Sequence, residues 1–447
     1  MTAVLQQPLP VELSAERPQT STASRVGEKA AAAAACALGF IGFMPYPAIN
    51  VGNTSAVQFG NILTIAMLAP FAAALLKWRR PLNLYPVLML PLVLSAITVA
   101  SSGGDDVSLS LKFMAAFGIS AAALCATQLY APRYSLHLLT GIAAATVVHF
   151  VFGMWQFYTF RSDSFPMVEL YVNQSFLSVQ DNVDTIARWI KRPFGIFPEP
   201  SAMSSSLAPW VLLFSGHFLG LVHLKEKPSR RQELLFAAAA AGGLLLIILS
   251  RSGHAAVTLA ALGAMGLVWA MRAKAKPQTH FLTICAAGAV LPFVLILATN
   301  MLADRVGGAS KLGNSSWEER SSSLVIGFEV LTNRGLGTTV FGVGPGLSSP
   351  VMQKEYNLEA VWSVLLASIY ETGFLGLIAV AWIASLLFRT WKTSGRSLAF
   401  AAITFVWLVG ITLTTSYSQL LPIWIALGWL TIWPSVCEPA GGKVQPQ

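Results

Sequence analysis

The sequence predicts an all-α, polytopic membrane protein with about 12 transmembrane helices and a long outer loop that carries short amphipathic helices. Composition is the first observation behind this prediction. Hydrophobic residues make up 55% of the chain and charged residues only 11%, and the mean hydropathy is +0.62. The second observation is that the apolar residues are gathered into runs of about 20, the length that crosses a bilayer.

The apolar runs define the predicted spans, which cover residues 30–50, 58–76, 84–101, 110–130, 136–157, 200–222, 232–250, 253–271, 279–298, 359–388, 397–415 and 417–434. We therefore expect an N-terminal tail (1–28), one transmembrane domain (29–435) and a C-terminal tail (436–447). The two longest connections are the loops 158–199 and 299–358. The first 28 residues are polar and lack the apolar core of a signal peptide, so we expect no cleaved leader.

The lysine and arginine residues between the spans predict the orientation, because basic residues collect in cytoplasmic connections. The connections near 50–57, 102–109 and 415–418 contain neither residue, and we expect them to face outward. The alternate connections are basic and we expect them, with both tails, to face the cytoplasm: Lys77, Arg79, Arg80, Arg133, Lys225, Lys227, Arg230, Arg231, Arg272, Lys274, Lys276, Arg389, Lys392 and Arg396.

The formal net charge of +9 is explained by these inner connections lying against anionic lipid, so it requires no nucleic-acid partner. A smaller set of cations does not follow the rule that basic residues collect in cytoplasmic connections. These outward-facing residues lie in the loop 158–199, in one tight turn and in the loop 299–358: Arg161, Arg188, Lys191, Arg192, Arg251, Arg305, Lys311, Arg320, Arg334 and Lys354. We take the outer cations as candidates for a functional site.

Arg251 lies in the tight outer turn between two predicted spans, beside Ser250, Ser252, Gly253 and His254. One interpretation is that its side chain anchors a helix end at the membrane interface. The other is that it faces a polar notch formed by its neighbours. If the second helix begins at this turn, the three-residue spacing would place Arg251 and His254 on one face.

Glu199 closes the first outer loop, directly before Pro200 and an apolar helix. A proline at the first helical position favours an extended residue before it, so we expect Glu199 to be held at the helix mouth. The helix dipole stabilises a charged carboxylate there, as a base or a hydrogen-bond acceptor requires. The simpler alternative is an acidic residue at a helix start with no chemical role.

The second outer loop is too long for a plain connection. Within it, residues 317–332 predict an amphipathic helix whose apolar stripe is Trp317, Leu324, Phe328 and Leu331, with Arg320 on that stripe. The segment 342–346, Gly-Val-Gly-Pro-Gly, predicts tight turns and close backbone approach.

Arginines that converge around one carboxylate on the outer face would suit phosphate oxygens, which the guanidinium group binds as a fork. A diphosphate leaving group needs this kind of charge neutralisation. The outer loops contain no Asp-x-Asp pair and no histidine and carboxylate cluster with metal spacing. We therefore expect a metal-independent phosphate site and no cofactor. The four cysteines show no metal-ligand spacing and are expected to be packing residues.

The order of these features resembles the O-antigen ligase and polymerase superfamily over residues 185–390. The resemblance is carried by the Ser250–Arg251 turn, the long outer loop ending in 341–346, and the segment 371–377, Glu-Thr-Gly-Phe-Leu-Gly-Leu. The segments 192–201 and 319–323 resemble the polymerases of bacterial exopolysaccharides in particular.

The resemblance implies a glycosyltransferase in the inner membrane of a bacterium, working at the periplasmic face. It would transfer the growing glycan from undecaprenyl diphosphate to a hydroxyl of the next undecaprenyl-diphosphate-linked oligosaccharide repeat unit. The expected partners in this pathway are a flippase and a chain-length regulator. Residue by residue, Arg251, Arg320 and Arg192 match family arginines that we assign to diphosphate binding, and Glu199 is the candidate for activating the acceptor hydroxyl or holding sugar hydroxyls.

One position departs from the ligase pattern: Trp362 stands where ligases carry a histidine. Trp362 could stack on a sugar or pack at the interface, and His254 and Arg334 complete the set of candidate substrate-binding residues. Two alternatives stay open, a ligase that passes a finished glycan to another acceptor and a transporter or flippase without chemistry. The chain shows no repeated halves and no cations near mid-membrane, which are features typical of transporters.

Overall fold

A computed structural model describes residues 22–45, 48–50, 56–67, 85–102, 106–160, 192–272, 325–327, 329–333, 335–356, 363–414 and 420–438. These residues are mostly helical. Four of the described helices are long and apolar enough to cross a membrane: Val107–Thr159, Arg230–Leu249, Gly253–Met271 and Val364–Thr393. Such helices indicate a membrane-embedded, largely helical protein, in agreement with the predicted class.

The described elements follow in this order: α1 (Thr22–Ile41), the strands β1 (Ala48–Asn50) and β2 (Ala56–Gln58), α2 (59–67), α3 (Tyr85–Ser102), α4 (Asp106–Thr159), α5 (Pro200–Phe218), α6 (Arg230–Leu249), α7 (Gly253–Arg272), α8 (Leu336–Phe341), α9 (Ser348–Tyr356), α10 (Val364–Thr393), α11 (Leu398–Val409) with a π-helical extension (Gly410–Thr414), α12 (Leu421–Thr431) and α13 (Trp433–Val436). The two strands pair antiparallel, with Ala48 opposite Gln58. The short helices α8 and α9 lie within the predicted long outer loop.

The predicted boundaries of the first span, 30–50, are wrong. Helix α1 begins at Thr22, inside the segment predicted as an N-terminal tail, and ends at Ile41. The alanine-rich run at 30–35 lies in the middle of α1 and favours helix there. At its end, Pro45 and Pro47 lack the N–H groups that a continued helix needs. The next described elements are the paired strands β1 and β2.

The spans predicted at 110–130 and 136–157 correspond to two helices that meet at a kink within the helical segment α4. Tyr134 interrupts it with non-helical angles (φ −129°, ψ 37°), two residues after Pro132. This interruption lies at the predicted basic connection around Arg133. Because proline removes a backbone hydrogen bond and crowds the preceding turn, a kink at this position is expected.

Helix α4 lies at the centre of the described core, packed against α1, α3, α6 and α12. The crossing with α1 is close because small residues face each other: a Cβ built on Gly39 would lie 2.9 Å from the backbone nitrogen of Ile142. Large aromatic side chains fill the adjacent interior. The rings of Trp210 and Trp429 meet edge to face at 5.9 Å, and both are almost fully buried.

The glycine-rich segment 342–346 docks against a kink in α10. Gly342, Gly344 and Gly346 have φ values of 78°, 113° and 73°, as expected for turns that favour glycine. Helix α10 is interrupted at Gly373, where φ is 60° and ψ is −144°. At the interruption, α10 accepts a hydrogen bond from the glycine-rich segment: the N–H of Val343 donates to the carbonyl oxygen of Tyr370 at 2.8 Å.

The buried carboxylate of Glu371 fixes the end of this loop. It accepts a hydrogen bond from the Ser348 hydroxyl at 2.6 Å and from the backbone N–H groups of Gly346 and Ser348. Ser348 begins α9, so the carboxylate lies at a helix N-terminus, where the dipole stabilises negative charge. The hydroxyl of Ser110 ties the same loop to α4 by donating to the carbonyl oxygen of Pro345 at 2.7 Å.

Gly342→Ala is expected to destabilise the protein by about 2 kcal/mol or more, because alanine is strained at positive φ and its Cβ would overlap the backbone of Glu371. The measurement is thermal unfolding of the detergent-solubilised protein, followed by fluorescence-detected size exclusion. Gly263→Ala is the matched control, since its Cβ would meet no atom within 4 Å. In the interior of α7 this control should be neutral or stabilising by up to about 1 kcal/mol. Equal losses of thermal stability in Gly342→Ala and Gly263→Ala would contradict the close packing of segment 342–346 against α10.

Candidate functional site

Arg251 occupies a strained turn between α6 and α7. Its φ is 48°, the left-handed region that non-glycine residues rarely adopt and that costs about 1–2 kcal/mol. The side chain is exposed, and its guanidinium group makes no hydrogen bond or ion pair with another described residue. The turn is a candidate site because Arg251 is one of the cations predicted to face outward and its side chain is exposed.

A chain of serine hydroxyls joins this turn to the N-terminal part of α5. The hydroxyl oxygens of Ser204 and Ser250 lie 2.8 Å apart and share a hydrogen bond. The N–H of Ser252 donates to the Ser250 hydroxyl at 3.3 Å. All three serines are buried. The turn that carries Arg251 is therefore fixed against the helix that Glu199 precedes.

Glu199 is the N-cap residue of α5, with Pro200 in the first turn. Its backbone is extended (φ −158°, ψ 163°), which confirms the geometry predicted from the two residues. The carboxylate does not cap the helix; instead it accepts a hydrogen bond from the Ser201 hydroxyl. A partly buried carboxylate in this arrangement can accept a proton or hydrogen-bond a sugar hydroxyl.

Arg192 is partly buried and starts the segment that ends at Glu199. The backbone of this segment reverses at Gly195, where φ is 58°. Two side chains of α4, those of His149 and Gln156, hydrogen-bond to the backbone of residues 194–196. The sequence interpretation did not include these two residues. The available signal was the presence of polar side chains inside an apolar span.

His254 was predicted to lie on the outer face beside Arg251, and the structure places it differently. Helix α7 begins at Gly253, so Arg251 precedes the helix and the two side chains do not share a helical face. Arg251 is exposed, whereas His254 is fully buried. Neither ring nitrogen of His254 has a hydrogen-bond partner among the described residues. Direct contact with a substrate would therefore require its surroundings to open.

The surroundings of His254 include the π-helical turn that follows α11. A Cβ built on Gly410 would lie 3.1 Å from the Cβ of Ser205 and 3.4 Å from Cε1 of His254. The next residue, Ile411, accepts a hydrogen bond at 3.4 Å from the hydroxyl of Ser363, the N-cap residue of α10. The π turn therefore joins the starts of α5, α7 and α10. Short π-helical segments occur frequently at functional sites.

Three other predicted site residues, Arg320, Arg334 and Trp362, lie outside the described residues. The predicted amphipathic helix at 317–332 is described only in part. Residues 325–327 and 329–333 are helical, and Leu331 of the predicted apolar stripe is buried.

An apolar groove, partly open to its surroundings, lies beside these polar elements. It lies among α3, α4, α10, the α11–π segment and α12, and its lining includes Leu92, Phe117, Gly376, Trp407, Ile411 and Trp424. Along α10 the lining extends from Val364 to Ile383, across the interruption at Gly373. One end of the groove thus reaches Ile411, next to the Gly410 contact with His254 and Ser205.

The described part of the chain contains no group of three His, Cys, Asp or Glu side chains placed to hold a metal ion. Metal independence stays a prediction, to be tested with a chelator. No family model matches the chain, and no curated protein matches its sequence. The chemistry of the site must therefore be inferred from its own residues.

The Ser204–Ser250 hydrogen bond predicts non-additive effects on stability. Ser204→Ala and Ser250→Ala should each lower the free energy of unfolding by about 1 kcal/mol, and the double variant should lose less than the sum. Ser206→Ala is the matched control on the same helix, because the buried Ser206 hydroxyl has no partner among the described residues. Removing it should be neutral or stabilising. Unfolding of the four variants in one detergent measures the coupling energy between Ser204 and Ser250. If the two single losses in free energy of unfolding add to the loss of the double variant, the hydrogen bond between them is contradicted.

Proposed function

We propose that this protein is a membrane glycosyltransferase that polymerises undecaprenyl-diphosphate-linked oligosaccharide repeat units and releases undecaprenyl diphosphate. In this proposal it lies in the bacterial inner membrane, with both termini in the cytoplasm and its active face toward the periplasm. The observation that carries the proposal is the placement of Arg251. It is an exposed arginine in a strained turn, joined through Ser250 and Ser204 to the helix that starts next to Glu199.

The charges of this arrangement support transfer from a diphosphate. A guanidinium group binds phosphate oxygens in a bidentate fork and keeps its charge at all physiological pH values. Arg251 is exposed, so its fork is accessible to a ligand. Stabilising the negative charge that develops on a leaving group is a large catalytic contribution in many enzymes.

The apolar groove supports a lipid-linked substrate. Its lining is almost entirely apolar, with Ser368 and Thr372 as the polar members. A polyprenyl chain lying in this groove would place its diphosphate near the end at Ile411, beside the junction of α5, α7 and α10.

In the proposed reaction, a hydroxyl oxygen of the acceptor repeat attacks the first sugar carbon of the donor glycan. A new glycosidic C–O bond forms as the C–O bond to the diphosphate breaks. The hydroxyl proton passes to the carboxylate of Glu199, and the bonding electron pair leaves with undecaprenyl diphosphate. Arg251, with Arg192 and Arg320, neutralises the charge on the departing diphosphate.

Deletion of the gene in its host, with analysis of lipid-linked glycans, tests the proposal. A polymerase mutant should lose the polymer and accumulate single repeat units on undecaprenyl diphosphate, accessible from the periplasmic side. Accumulation of full-length lipid-linked polymer would point to the ligase alternative. Accumulation of repeats only on the cytoplasmic side would point to a flippase. Complementation by the wild-type gene must restore the polymer.

A further inference from the structure

Two polar side chains inside helix α4 face the segment between Arg192 and Glu199. His149 and Gln156 are seven residues apart, about two helical turns, so they lie on one face of α4. Both are fully buried. Polar side chains inside a membrane helix are costly unless they are hydrogen-bonded, so their partners define what they do.

The hydrogen bonds of His149 define which ring nitrogen carries the proton. The backbone N–H of Ile196 donates to Nδ1 at 3.1 Å, so Nδ1 must be an acceptor. In a neutral ring the proton is then on Nε2, which donates to the carbonyl oxygen of Phe43 at 2.7 Å. His149 therefore connects the end of α1 to the 192–199 segment.

Gln156, two turns further along α4, holds the same 192–199 segment. Its Oε1 accepts hydrogen bonds from the N–H groups of Phe194 at 3.0 Å and Gly195 at 2.9 Å. Its Nε2 donates to the carbonyl oxygen of Gly195 at 2.9 Å. Three consecutive N–H groups, those of residues 194–196, thus donate to side chains of α4.

The close fit at Gly195 shows how tightly the segment is held. Its φ of 58° is left-handed, and a Cβ at this position would lie only 2.8 Å from Nδ1 of His149. The ring of His149 also lies against the ring of Phe197, with centroids 4.6 Å apart. Any side chain larger than hydrogen at Gly195 would displace the segment from the histidine.

We propose that His149 and Gln156 are positioning residues that hold the backbone of residues 194–196 and thereby place Arg192 and Glu199 for the lipid-diphosphate substrate. This inference rests on the proposed function. Neither side chain needs to touch the substrate, since the held segment has Arg192 at one end and Glu199 at the other. The acceptor atoms, Nδ1 of His149 and Oε1 of Gln156, matter most, because losing them leaves the buried N–H groups of residues 194–196 without these partners.

Amide replacements of His149 separate its two hydrogen bonds. His149→Asn places an oxygen close to the Nδ1 position and keeps an acceptor for Ile196. His149→Gln places its amide nearer the Nε2 position and keeps only the bond to Phe43. Gly195→Ala tests the same contact from the loop. His137→Asn is the matched control, because His137 is an exposed histidine of the same helix.

Two readouts on purified protein test the proposal. Hydrogen–deuterium exchange of the peptide covering 193–199 should accelerate about tenfold in His149→Gln and Gly195→Ala, and by no more than about twofold in His149→Asn. The KM for the lipid-linked repeat should rise about tenfold in the first two variants and stay near wild type in His149→Asn and His137→Asn. A merely structural defect would lower the active fraction and so kcat, leaving KM unchanged.

Faster exchange with both KM and kcat per folded protein unchanged would overturn the positioning role, as would equal exchange in His149→Gln and His149→Asn. Failure of the proposed function is distinguishable. In that case the wild-type protein would not act on the lipid-linked repeat, while the exchange comparison would still decide whether His149 holds the segment.

Discussion

Arg251→Ala is expected to reduce polymer formation by at least about a hundredfold while the protein folds and reaches the membrane normally. The reason is that the guanidinium group would stabilise charge on the departing diphosphate, and removing one such donor costs about 10²–10³ in kcat. Arg251→Lys keeps the charge but loses the fork, so we expect an intermediate loss of about tenfold. The measurement is polymer yield and chain length at equal membrane protein levels.

Arg396→Ala is a matched control for this variant. Among the described residues, Arg251 and Arg396 are the two non-glycine residues with positive φ, at 48° and 56°, and both are exposed. Alanine therefore meets the same backbone strain at either position. Arg396 lies in a predicted cytoplasmic connection, so its replacement should leave polymer formation unchanged. Equal activity of the two variants would contradict a role for the Arg251 side chain.

Glu199→Gln is expected to lower kcat by about 10²–10⁴ and change KM little, because glutamine keeps the shape and loses the proton acceptor. Ser201→Ala removes the hydroxyl that donates to Glu199 and should reduce kcat by about tenfold or less. Steady-state kinetics with the lipid-linked repeat separates the alternatives. A rise in KM with kcat preserved would show that Glu199 holds sugar hydroxyls and is not the base.

The sequence predicted the turn at Arg251 and the start of α5 well because both depend on local signals. The spans 232–250 and 253–271 end and begin within two residues of α6 and α7 at the turn. Pro200 fixes the first turn of α5 and the extended backbone of Glu199. Likewise, the glycines of 342–346 adopt the positive φ values that their sequence favours.

Other features depend on contacts between distant segments, which hydrophobic runs do not reveal. His149 and Gln156 each meet a backbone about 40 residues or more away in the chain. His254 and Arg251 do not share a helical face, because their three-residue spacing includes a left-handed residue and α7 begins only at Gly253. The early end of α1 was indicated locally by Pro45 and Pro47, but the predicted span followed the apolar run past these prolines.

Chain elongation by the purified protein alone tests the central claim most directly. The wild-type protein in detergent or lipid vesicles would receive only the undecaprenyl-diphosphate-linked repeat unit, with a metal chelator present. The account predicts glycans of two or more repeats on the lipid, one undecaprenyl diphosphate released for each bond formed, and at least about a hundredfold less activity in Arg251→Ala. The account would be contradicted if folded protein left the repeat units unchanged. It would also be contradicted if elongation occurred only when a divalent metal was restored.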